Sequence, residues 1–378
     1  MPRVGWLAMV VGLVAAVAPL GAMAQAAQSR AGIRGMTVGP IESALHPGKG
    51  YGSAACARTM TELVRMGANW VSVTPFGRIA DLKPTGIDWS FEAPFEQNRL
   101  AVSAAIRQAH ASGLRVLLVP HIWVESGQWR GEIDPGGDGA WARWARSYGA
   151  FLVAWADVAR EAAADMFSVG VELRTWVTTD RAPSFFPIIA DVRRVYPGPI
   201  TYSANWDDAE DTLIWPALDL VGINAFYPLS DRKGATFAEL LEGGRSVASR
   251  VRRVGEAWGR PVVFTEIGYT TRSDPAVRPW EWPEHLSQIE VDQQAQADAY
   301  RAILAPVLDE PSFLGFFVWR VYADPDDVSQ ESEWGFSPRG KLAELVIRDA
   351  FVAHFAVDGP RLPGDSLGRY AAVDPGAY

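Results

Sequence analysis

The sequence predicts an α/β fold, a single (β/α)8 TIM barrel, and three observations lead to this prediction. Short β-rich runs alternate with long helical patterns, which is typical of parallel strands joined by helices. Eight such units can be recognised, and no long linker divides them. The length of 378 residues is sufficient for one barrel of roughly 250 residues with loop insertions.

The eight predicted strands are short runs of apolar and β-branched residues. They cover residues 33–38, 70–74, 115–120, 166–171, 200–203, 218–223, 262–265 and 315–318. Helical patterns lie between them at residues 53–65, 95–111, 140–164, 187–195, 237–258, 291–307 and 342–354. Gly67 and Gly113 follow two of these helices, where a left-handed residue is needed to end the helix. Residues 205–217 have the weakest helical pattern of the connections.

The first residues predict an export signal. Arg3 precedes an apolar run at residues 6–20, and Ala22-Met23-Ala24 has the small residues of a cleavage site. The run is short for a bilayer, and no second candidate span follows it. We therefore expect a signal peptide at residues 1–24 and a mature protein that is secreted or periplasmic, with no membrane span after cleavage.

The composition narrows the choice of partner. The formal net charge of -9 argues against nucleic acid or an anionic membrane. Cys56 is the only cysteine, so no disulfide can form within the chain. The 16 tryptophans exceed what the interior of a barrel needs, because Val, Ile and Leu dominate there. Such an excess fits either core packing or a surface that stacks on sugar rings.

Two glutamates stand where a barrel carries its chemistry. Glu172 follows the fourth predicted strand and Glu266 follows the seventh, and barrel enzymes place catalytic groups at these strand ends. Each emerges from an apolar run, where a glutamate is tolerated only if it is paired or used. Retaining glycoside hydrolysis needs two carboxyl groups about 5–5.5 Å apart. The alternative is an ion pair at the barrel mouth, for example between Glu172 and Arg174 or Arg320.

Several motifs resemble those of glycoside hydrolase family 113, within the clan A retaining barrel hydrolases. The resemblance extends over roughly residues 32–352, and the order and spacing of the motifs make it specific. The motifs include Gly67-Ala68-Asn69-Trp70-Val71, Trp129-Arg130-Gly131-Glu132-Ile133, Gly170-Val171-Glu172-Leu173, Tyr202-Ser203-Ala204-Asn205-Trp206-Asp207, Phe264-Thr265-Glu266-Ile267-Gly268-Tyr269 and Phe336-Ser337-Pro338-Arg339-Gly340-Lys341.

The resemblance implies a retaining, endo-acting hydrolase of β-1,4-mannan. By position, it implies that Glu172 is the general acid/base and Glu266 the nucleophile. Tyr227 matches a tyrosine after the sixth strand that hydrogen-bonds the nucleophile, and Trp319 matches an aromatic residue that floors the sugar subsite. Val171 departs from the wider clan, which mostly carries asparagine at this position to bind the sugar 2-hydroxyl.

Further residues indicate where a sugar chain would bind. Trp129 and Trp206 lie in predicted loops after strands, where a tryptophan can stack on a sugar ring. Asn205 ends the fifth strand. His121 follows the third strand, and it is either a sugar ligand or a hydrogen-bonded structural histidine. Asn205 and His121 are the candidates for the 2-hydroxyl contact that Val171 cannot make.

Together these observations predict a retaining glycoside hydrolase that cleaves β-1,4-linked polysaccharide, with β-mannan as the expected substrate. We expect no metal, no cofactor and a monomeric state. The expected parts are a signal peptide at residues 1–24, a (β/α)8 catalytic domain at residues 25–355 and a C-terminal tail at residues 356–378. Two alternatives remain: a β-glycanase or glycosidase acting on the organism's own envelope or exported polysaccharide, and a non-catalytic carbohydrate-binding barrel.

Overall fold

The structure, a computed structural model, describes residues 32–39, 48–90, 93–281, 289–327 and 333–354. The signal peptide predicted at residues 1–24 and the tail predicted at residues 356–378 lie outside the described residues. These two segments and the division at residues 25–355 therefore stay predictions. Within the described ranges, no helix combines the length and the apolar character that crossing a bilayer requires.

Eight parallel strands close into a barrel, as the sequence predicts. The strands of the described residues are β1 (Ile33–Gly39), β2 (Trp70–Val73), β3 (Phe76–Ile79), β4 (Arg115–Leu118), β5 (His121–Val124), β6 (Met166–Val171), β7 (Ile200–Asn205), β8 (Val221–Asn224), β9 (Val262–Ile267) and β10 (Phe313–Tyr322). All of these except β3 and β5 belong to the barrel, and β10 closes it against β1. Each predicted strand is present, with bounds that differ by a few residues at most.

Helices surround the barrel, and three of them begin at a residue whose side chain caps the helix. They are α1 (Ala54–Arg65), α2 (Phe95–Ala111), α3 (Asp138–Glu161), α4 (Arg174–Val177), α5 (Phe186–Val195), α6 (Phe237–Trp258), α7 (Gln293–Val307) and α8 (Leu342–His354). Ser53 and Asp292 each accept a hydrogen bond from a backbone N–H of the first turn of α1 and α7. Thr236 and Glu239 form a capping box at the start of α6.

Two segments differ from the sequence prediction. The predicted strand at residues 115–120 ends at Leu118, and the chain resumes as β5 after Pro120, which has no N–H to donate to a ladder. β5 then pairs with β3 in a separate two-stranded parallel sheet. The weak helical pattern at residues 205–217 begins with the last residue of β7 and continues as a loop with one short 3-10 turn at Trp215–Ala217 instead of a helix.

The core has two parts, one inside the barrel and one between the barrel and the helices. The interior is a cluster to which nearly every barrel strand contributes: Ile33, Trp70, Leu117, Val119, Met166, Val171, Leu220, Val263, Leu314 and Phe317. Gly35 makes room for Phe317, because a Cβ there would lie 2.3 Å from its ring. Val171 therefore fills the barrel interior below the site, while the next residue, Glu172, reaches the mouth.

Candidate active site

Glu172 and Glu266 lie at the same end of the barrel. Glu172 directly follows β6, and Glu266 is the penultimate residue of β9. Because the barrel strands are parallel, both glutamates stand at their carboxyl ends, where barrel enzymes carry their active sites. Their relative exposures are only 8% and 6%. The structure therefore brings together two nearly buried carboxyl groups that the sequence placed on different strands.

Both glutamate-bearing strands carry an extra residue just before the glutamate. The three steps from Ser168 to Val171 in β6 face two steps in β7. The two steps from Phe264 to Glu266 in β9 face one step in β8. An extra residue re-aims the side chains that follow it, and such irregularities are common beside active sites. Glu172 also has a left-handed φ of 51°, which a non-glycine residue seldom adopts.

Three donors from two other segments surround the Glu172 carboxylate. The Trp129 indole Nε1 donates to Oε2 over 3.1 Å, and Asn224 Nδ2 donates to Oε1 over 2.9 Å. The Arg130 guanidinium Nη1 lies 3.5 Å from Oε2. An ion pair at the barrel mouth, which was the alternative to catalysis, is therefore formed by Glu172, but with Arg130, while Arg174 pairs with Asp207 and Asp208.

Asn224 is oriented by its own neighbour. It is completely buried at the end of β8, and its Oδ1 accepts a hydrogen bond from Thr265 Oγ1 over 3.0 Å. Because the amide oxygen is engaged in this way, the amide nitrogen faces the glutamates. Its pairing with Glu266 in the β8–β9 register places Asn224 between the two carboxyl groups.

The charge of Glu266 depends on that of Glu172. Burial, followed by the negative charge of Glu172, raises the pKa of Glu266 well above that of an ordinary glutamate. The cations Arg130 and Arg320 and the Asn224 amide act in the opposite direction. The site therefore places two carboxyl groups close enough for one charge to affect the other, with two cations and one amide that favour the ionised form of Glu266.

His121 lies beside Glu266 with its ring nitrogens unsatisfied. Its Nε2 is 3.5 Å from Oε1 of Glu266, yet neither ring nitrogen makes a hydrogen bond within the described residues. Burial lowers the pKa of His121 well below its ordinary value, so the ring is neutral and the contact is not an ion pair. A buried polar group without a partner is uncommon in folded proteins. This geometry favours a ligand-binding histidine over a purely structural one.

Trp319 forms the aromatic floor of the mouth. Its ring stacks on His121, with centroids 6.2 Å apart and planes at 25°. It also packs with Phe226 and Phe336, and the Arg320 guanidinium lies 5.0 Å from its ring centroid. The peptide bond between Trp319 and Arg320 is cis. Trp319 lies next to the site, as the sequence predicts, but within the eighth barrel strand, which continues to Tyr322.

Tyr227 makes no hydrogen bond to Glu266 in the structure, contrary to the expectation. Its ring packs against Phe264, with centroids 6.1 Å apart, and lies 5.2 Å from the guanidinium of Arg250 in α6. Alternation along the chain explains the difference, since Asn224 and Phe226 face the mouth and Tyr227 turns to the helix layer. The hydrogen bond expected between Tyr227 and Glu266 is not made.

Trp129 and Asn205 border the site but are engaged by the protein itself. The Trp129 ring lies under the Arg174 guanidinium, 4.4 Å from its central carbon, while its N–H donates to Glu172. Asn205 Nδ2 donates to Asp207 Oδ1 over 2.6 Å. The sugar contacts expected of Trp129 and Asn205 stay predictions, and the structure shows which contacts these two residues make within the chain.

Trp206 extends the aromatic surface away from Trp319. It packs against the cluster of Phe226, Trp319 and Phe336, and it stacks on Trp280 with centroids 5.4 Å apart and planes at 20°. Trp280 is 45% exposed. An aromatic path therefore runs from the floor of the site to solvent, as expected of a surface that accommodates more than one sugar ring.

No group of three or more potential metal ligands lies close together in the ranges that the structure covers. The acidic run after β10 is instead paired with basic side chains. Asp324 and Asp326 interact with Arg58, and Asp327 interacts with Lys49.

Sequence reasoning missed two residues of the site, Asn224 and Arg130. Asn224 ends a predicted strand on the catalytic side, which is a signal that could have singled it out. Arg130 follows Trp129 in one of the motifs that resemble family 113, but only the folded loop brings it to Glu172. Both act on the two glutamates together, so they connect the Glu172 side of the mouth with the Glu266 side.

Comparison with known proteins agrees with the geometry of this site. The model of Glycoside Hydrolase Family 113 matches residues 44–341. The chain belongs to glycoside hydrolase family 113. The family 113 enzyme is therefore a glycoside hydrolase that acts on carbohydrate, and the alternative of a non-catalytic carbohydrate-binding barrel is wrong.

Solved structures of the same family share the fold. The GH113 beta-mannanase AaManA from Alicyclobacillus acidocaldarius, in complex with ManMIm, is 29% identical in sequence to the chain described here. The two structures superpose with a TM-score of 0.74, and the match covers 86% of this chain and 98% of that chain. A second structure, of a GH113 beta-1,4-mannanase complex, is 24% identical, with a TM-score of 0.72 over 85% of this chain and 99% of that chain. No curated protein matches the chain.

Proposed function

We propose that this family 113 enzyme is a retaining β-1,4-mannanase. The observation that carries the proposal is the pair of buried glutamates at the ends of β6 and β9, with Asn224 donating to Glu172 and lying opposite Glu266 in the β8–β9 register. The similarity to a β-mannanase at 29% identity supports mannan as the substrate. The open aromatic path from Trp319 to Trp280 suits a polymer rather than a single sugar.

The mechanism that we propose has two steps. Glu266 attacks the anomeric carbon while Glu172 gives its proton to the leaving oxygen, so the glycosidic bond breaks and a glycosyl-enzyme ester forms. Glu172, now a carboxylate, removes a proton from water. That water attacks the anomeric carbon, which frees Glu266 and restores the proton on Glu172. Two inversions give net retention of the anomeric configuration.

His121 is our candidate for the sugar 2-hydroxyl contact. Val171 is part of the barrel interior, and Asn205 already donates through Nδ2 to Asp207, which leaves only its amide oxygen for a hydroxyl group. His121 is neutral, lies 3.5 Å from the nucleophile and is stacked on the aromatic floor. A neutral imidazole can donate to or accept from a hydroxyl group.

The substrate and the stereochemistry can be tested together. The purified protein is incubated with β-mannan, glucomannan, xylan and β-glucan, and the products are sized and their anomeric form is read by NMR at early times. The proposal predicts mannan oligosaccharides whose new reducing end is β. Release of the α-anomer would contradict the mechanism, and cleavage of xylan or glucan without mannan would contradict the substrate.

We further propose that the enzyme works outside the cytoplasm, on the basis of the export signal predicted at residues 1–24. We also propose that it works as a monomer. Fractionation of cells that express the full chain tests the location, and light scattering of the purified protein tests the monomeric state. Retention of the full-length chain in the cytoplasm would contradict the export proposal.

A further inference from the structure

Three charged residues, Arg174, Asp207 and Asp208, form a cluster next to Trp129, whose indole contacts the proposed acid/base Glu172. The guanidinium carbon of Arg174 is 4.4 Å from the ring centroid of Trp129, and the N–H of the same indole donates to Glu172 over 3.1 Å. Arg174 is two residues after Glu172 but makes its ion pairs elsewhere. The connection from Arg174 to the reacting carboxyl group therefore passes through the Trp129 ring.

Arg174 is itself held from the far side by the loop after β7. Its Nε donates to Oδ2 of Asp208 over 3.0 Å, and its Nη2 donates to Asp207. Asp208 is only 4% exposed, and Asp207 also accepts the hydrogen bond from Asn205. The guanidinium is thus held in place by two carboxylates, which fixes the plane that it presents to the indole.

The loop that carries Trp129 is fitted to this arrangement. Thr175 Oγ1, one residue beyond Arg174, donates to the Gly131 carbonyl over 2.9 Å and ties the loop to α4. A Cβ on Gly131 would lie 2.3 Å from the Trp129 ring, so only glycine lets the ring fold back this far. Two contacts besides the hydrogen bond to Glu172 therefore decide where the indole N–H points.

We propose that Arg174, clamped by Asp207 and Asp208, is a positioning residue that acts on the acid/base through Trp129. A cation over an aromatic face is attracted by the ring, so a guanidinium that is held in place restrains the position of the ring. The fixed indole N–H then holds Oε2 of Glu172 in the geometry for proton transfer to the leaving oxygen. The proposal rests on the proposed retaining mechanism, in which Glu172 is that proton donor.

Leaving-group dependence separates this role from a general loss of structure. A 2,4-dinitrophenolate departs without protonation, whereas a phenolate needs the acid, so a misplaced acid slows only the second substrate. The substrates are the 2,4-dinitrophenyl and phenyl β-glycosides of the disaccharide that the wild-type enzyme cleaves. For Arg174→Met we expect kcat/KM on the phenyl glycoside to fall by about 10- to 100-fold, with a change below about threefold on the dinitrophenyl glycoside.

Two further variants sharpen the test. Trp129→Phe, which keeps a ring but removes the N–H donor, should show the same selective loss. Arg181→Met is the matched control, because Arg181 also lies over a tryptophan, Trp141 at 5.6 Å, and also pairs with an aspartate. We expect the control to leave both rates unchanged, with all three variants folded as judged by circular dichroism.

An equal loss on both glycosides for Arg174→Met, or no loss on either, overturns the proposal. Glu172→Ala gives the separate check on the underlying mechanism. If that variant still cleaves the phenyl glycoside at the wild-type rate, Glu172 is not the acid and the proposed function fails, whatever Arg174 does. If Glu172→Ala loses only the phenyl substrate and Arg174→Met does not follow it, the positioning role alone fails.

Discussion

Asn224 donates a hydrogen bond to Glu172 over 2.9 Å, across the barrel mouth from β8 to the end of β6. Thr265 fixes the direction of this amide by donating to its oxygen over 3.0 Å. Thr265 precedes Glu266 in the chain, so the residue that orients the amide is anchored next to the nucleophile. The two glutamates thus share one oriented amide, although Glu172 and Glu266 come from strands four and seven of the barrel.

We predict that Asn224→Ala lowers kcat by about 10- to 100-fold with little change in KM. A hydrogen bond to a charged group contributes about 1.5–3 kcal/mol, and here it acts on the reacting carboxyl groups rather than on substrate affinity. Thr265→Val, which releases the amide, should give a smaller loss in the same direction, and Thr265→Ser should retain the wild-type rate. A rise in KM without a fall in kcat would show that Asn224 only binds substrate.

For His121→Phe we predict a fall in kcat/KM of about 10- to 100-fold on β-mannan oligosaccharides. Phenylalanine keeps the stack on Trp319 but removes both ring nitrogens, so the sugar loses its hydrogen bond while the floor stays in place. His110→Gln is the control, because His110 lies at the end of α2 and pairs with Asp165. An unchanged kcat/KM for His121→Phe would return the residue to a structural role.

Removing the exposed ring of the aromatic path should matter more for long substrates than for short ones. Trp280 stacks on Trp206 and is 45% exposed, so it can contact only a sugar some distance from the cleaved bond. We expect Trp280→Ala to reduce kcat/KM several-fold on mannohexaose and little on mannotriose. Leu345→Ala, an exposed apolar change on α8, is the control. A loss independent of chain length would rule out a distant subsite.

The raised pKa of Glu266 predicts a pH-dependent stability difference. Because the folded pKa lies above the unfolded one, the folded protein binds more protons between the two values, and the free energy of unfolding falls as the pH rises. Glu266→Gln removes this effect. We expect its Tm to exceed that of the wild type by about 2–4 °C near pH 8 and by much less near pH 4, in thermal melts.

The matched control for this prediction is Glu125→Gln. Glu125 is an exposed glutamate that pairs with Arg78, so its charge is not confined to a buried site. Its Tm difference from the wild type should not grow with pH in the same way. A Glu266→Gln difference that increases towards low pH would contradict the linkage.

The barrel and its two glutamates follow from the sequence because they depend on local patterns. Apolar strands alternate with helical segments in a pattern that is visible in the sequence. A glutamate directly after a buried strand is an unusual residue at such a position and is therefore easily recognised. The strand that carries Glu266 and the strand that ends at Val171, just before Glu172, were therefore predicted correctly. The end of β4 shifted only because Pro120 interrupts the ladder.

The contacts within the site could not be predicted in the same way, because they depend on single-residue shifts. Tyr227 was assigned to the nucleophile, but the chain after β8 turns Phe226 to the mouth and Tyr227 to the helix layer. The extra residues in β6 and β9 change the facing of side chains without leaving a signature in hydrophobicity.

The partners of charged residues were equally out of reach. Arg174 lies two positions from Glu172, yet it pairs with Asp207 and Asp208, and Arg130 approaches Glu172 instead. Which cation meets which carboxylate depends on how two loops fold over the barrel mouth. The contacts of Trp129 could not be predicted for the same reason. Its ring lies under the Arg174 guanidinium, and its N–H donates to Glu172.

Trapping the glycosyl-enzyme tests the central claim, that Glu266 is the nucleophile of a retaining hydrolase, most directly. The enzyme is treated with 2-deoxy-2-fluoro-β-mannosyl fluoride, which forms the ester but hydrolyses it slowly, and the labelled peptide is sequenced by mass spectrometry. The account predicts one fluorosugar per chain, attached to Glu266, and none on Glu266→Gln. Attachment to Glu172 or another carboxylate, or no adduct in an enzyme that cleaves β-mannan, would contradict it.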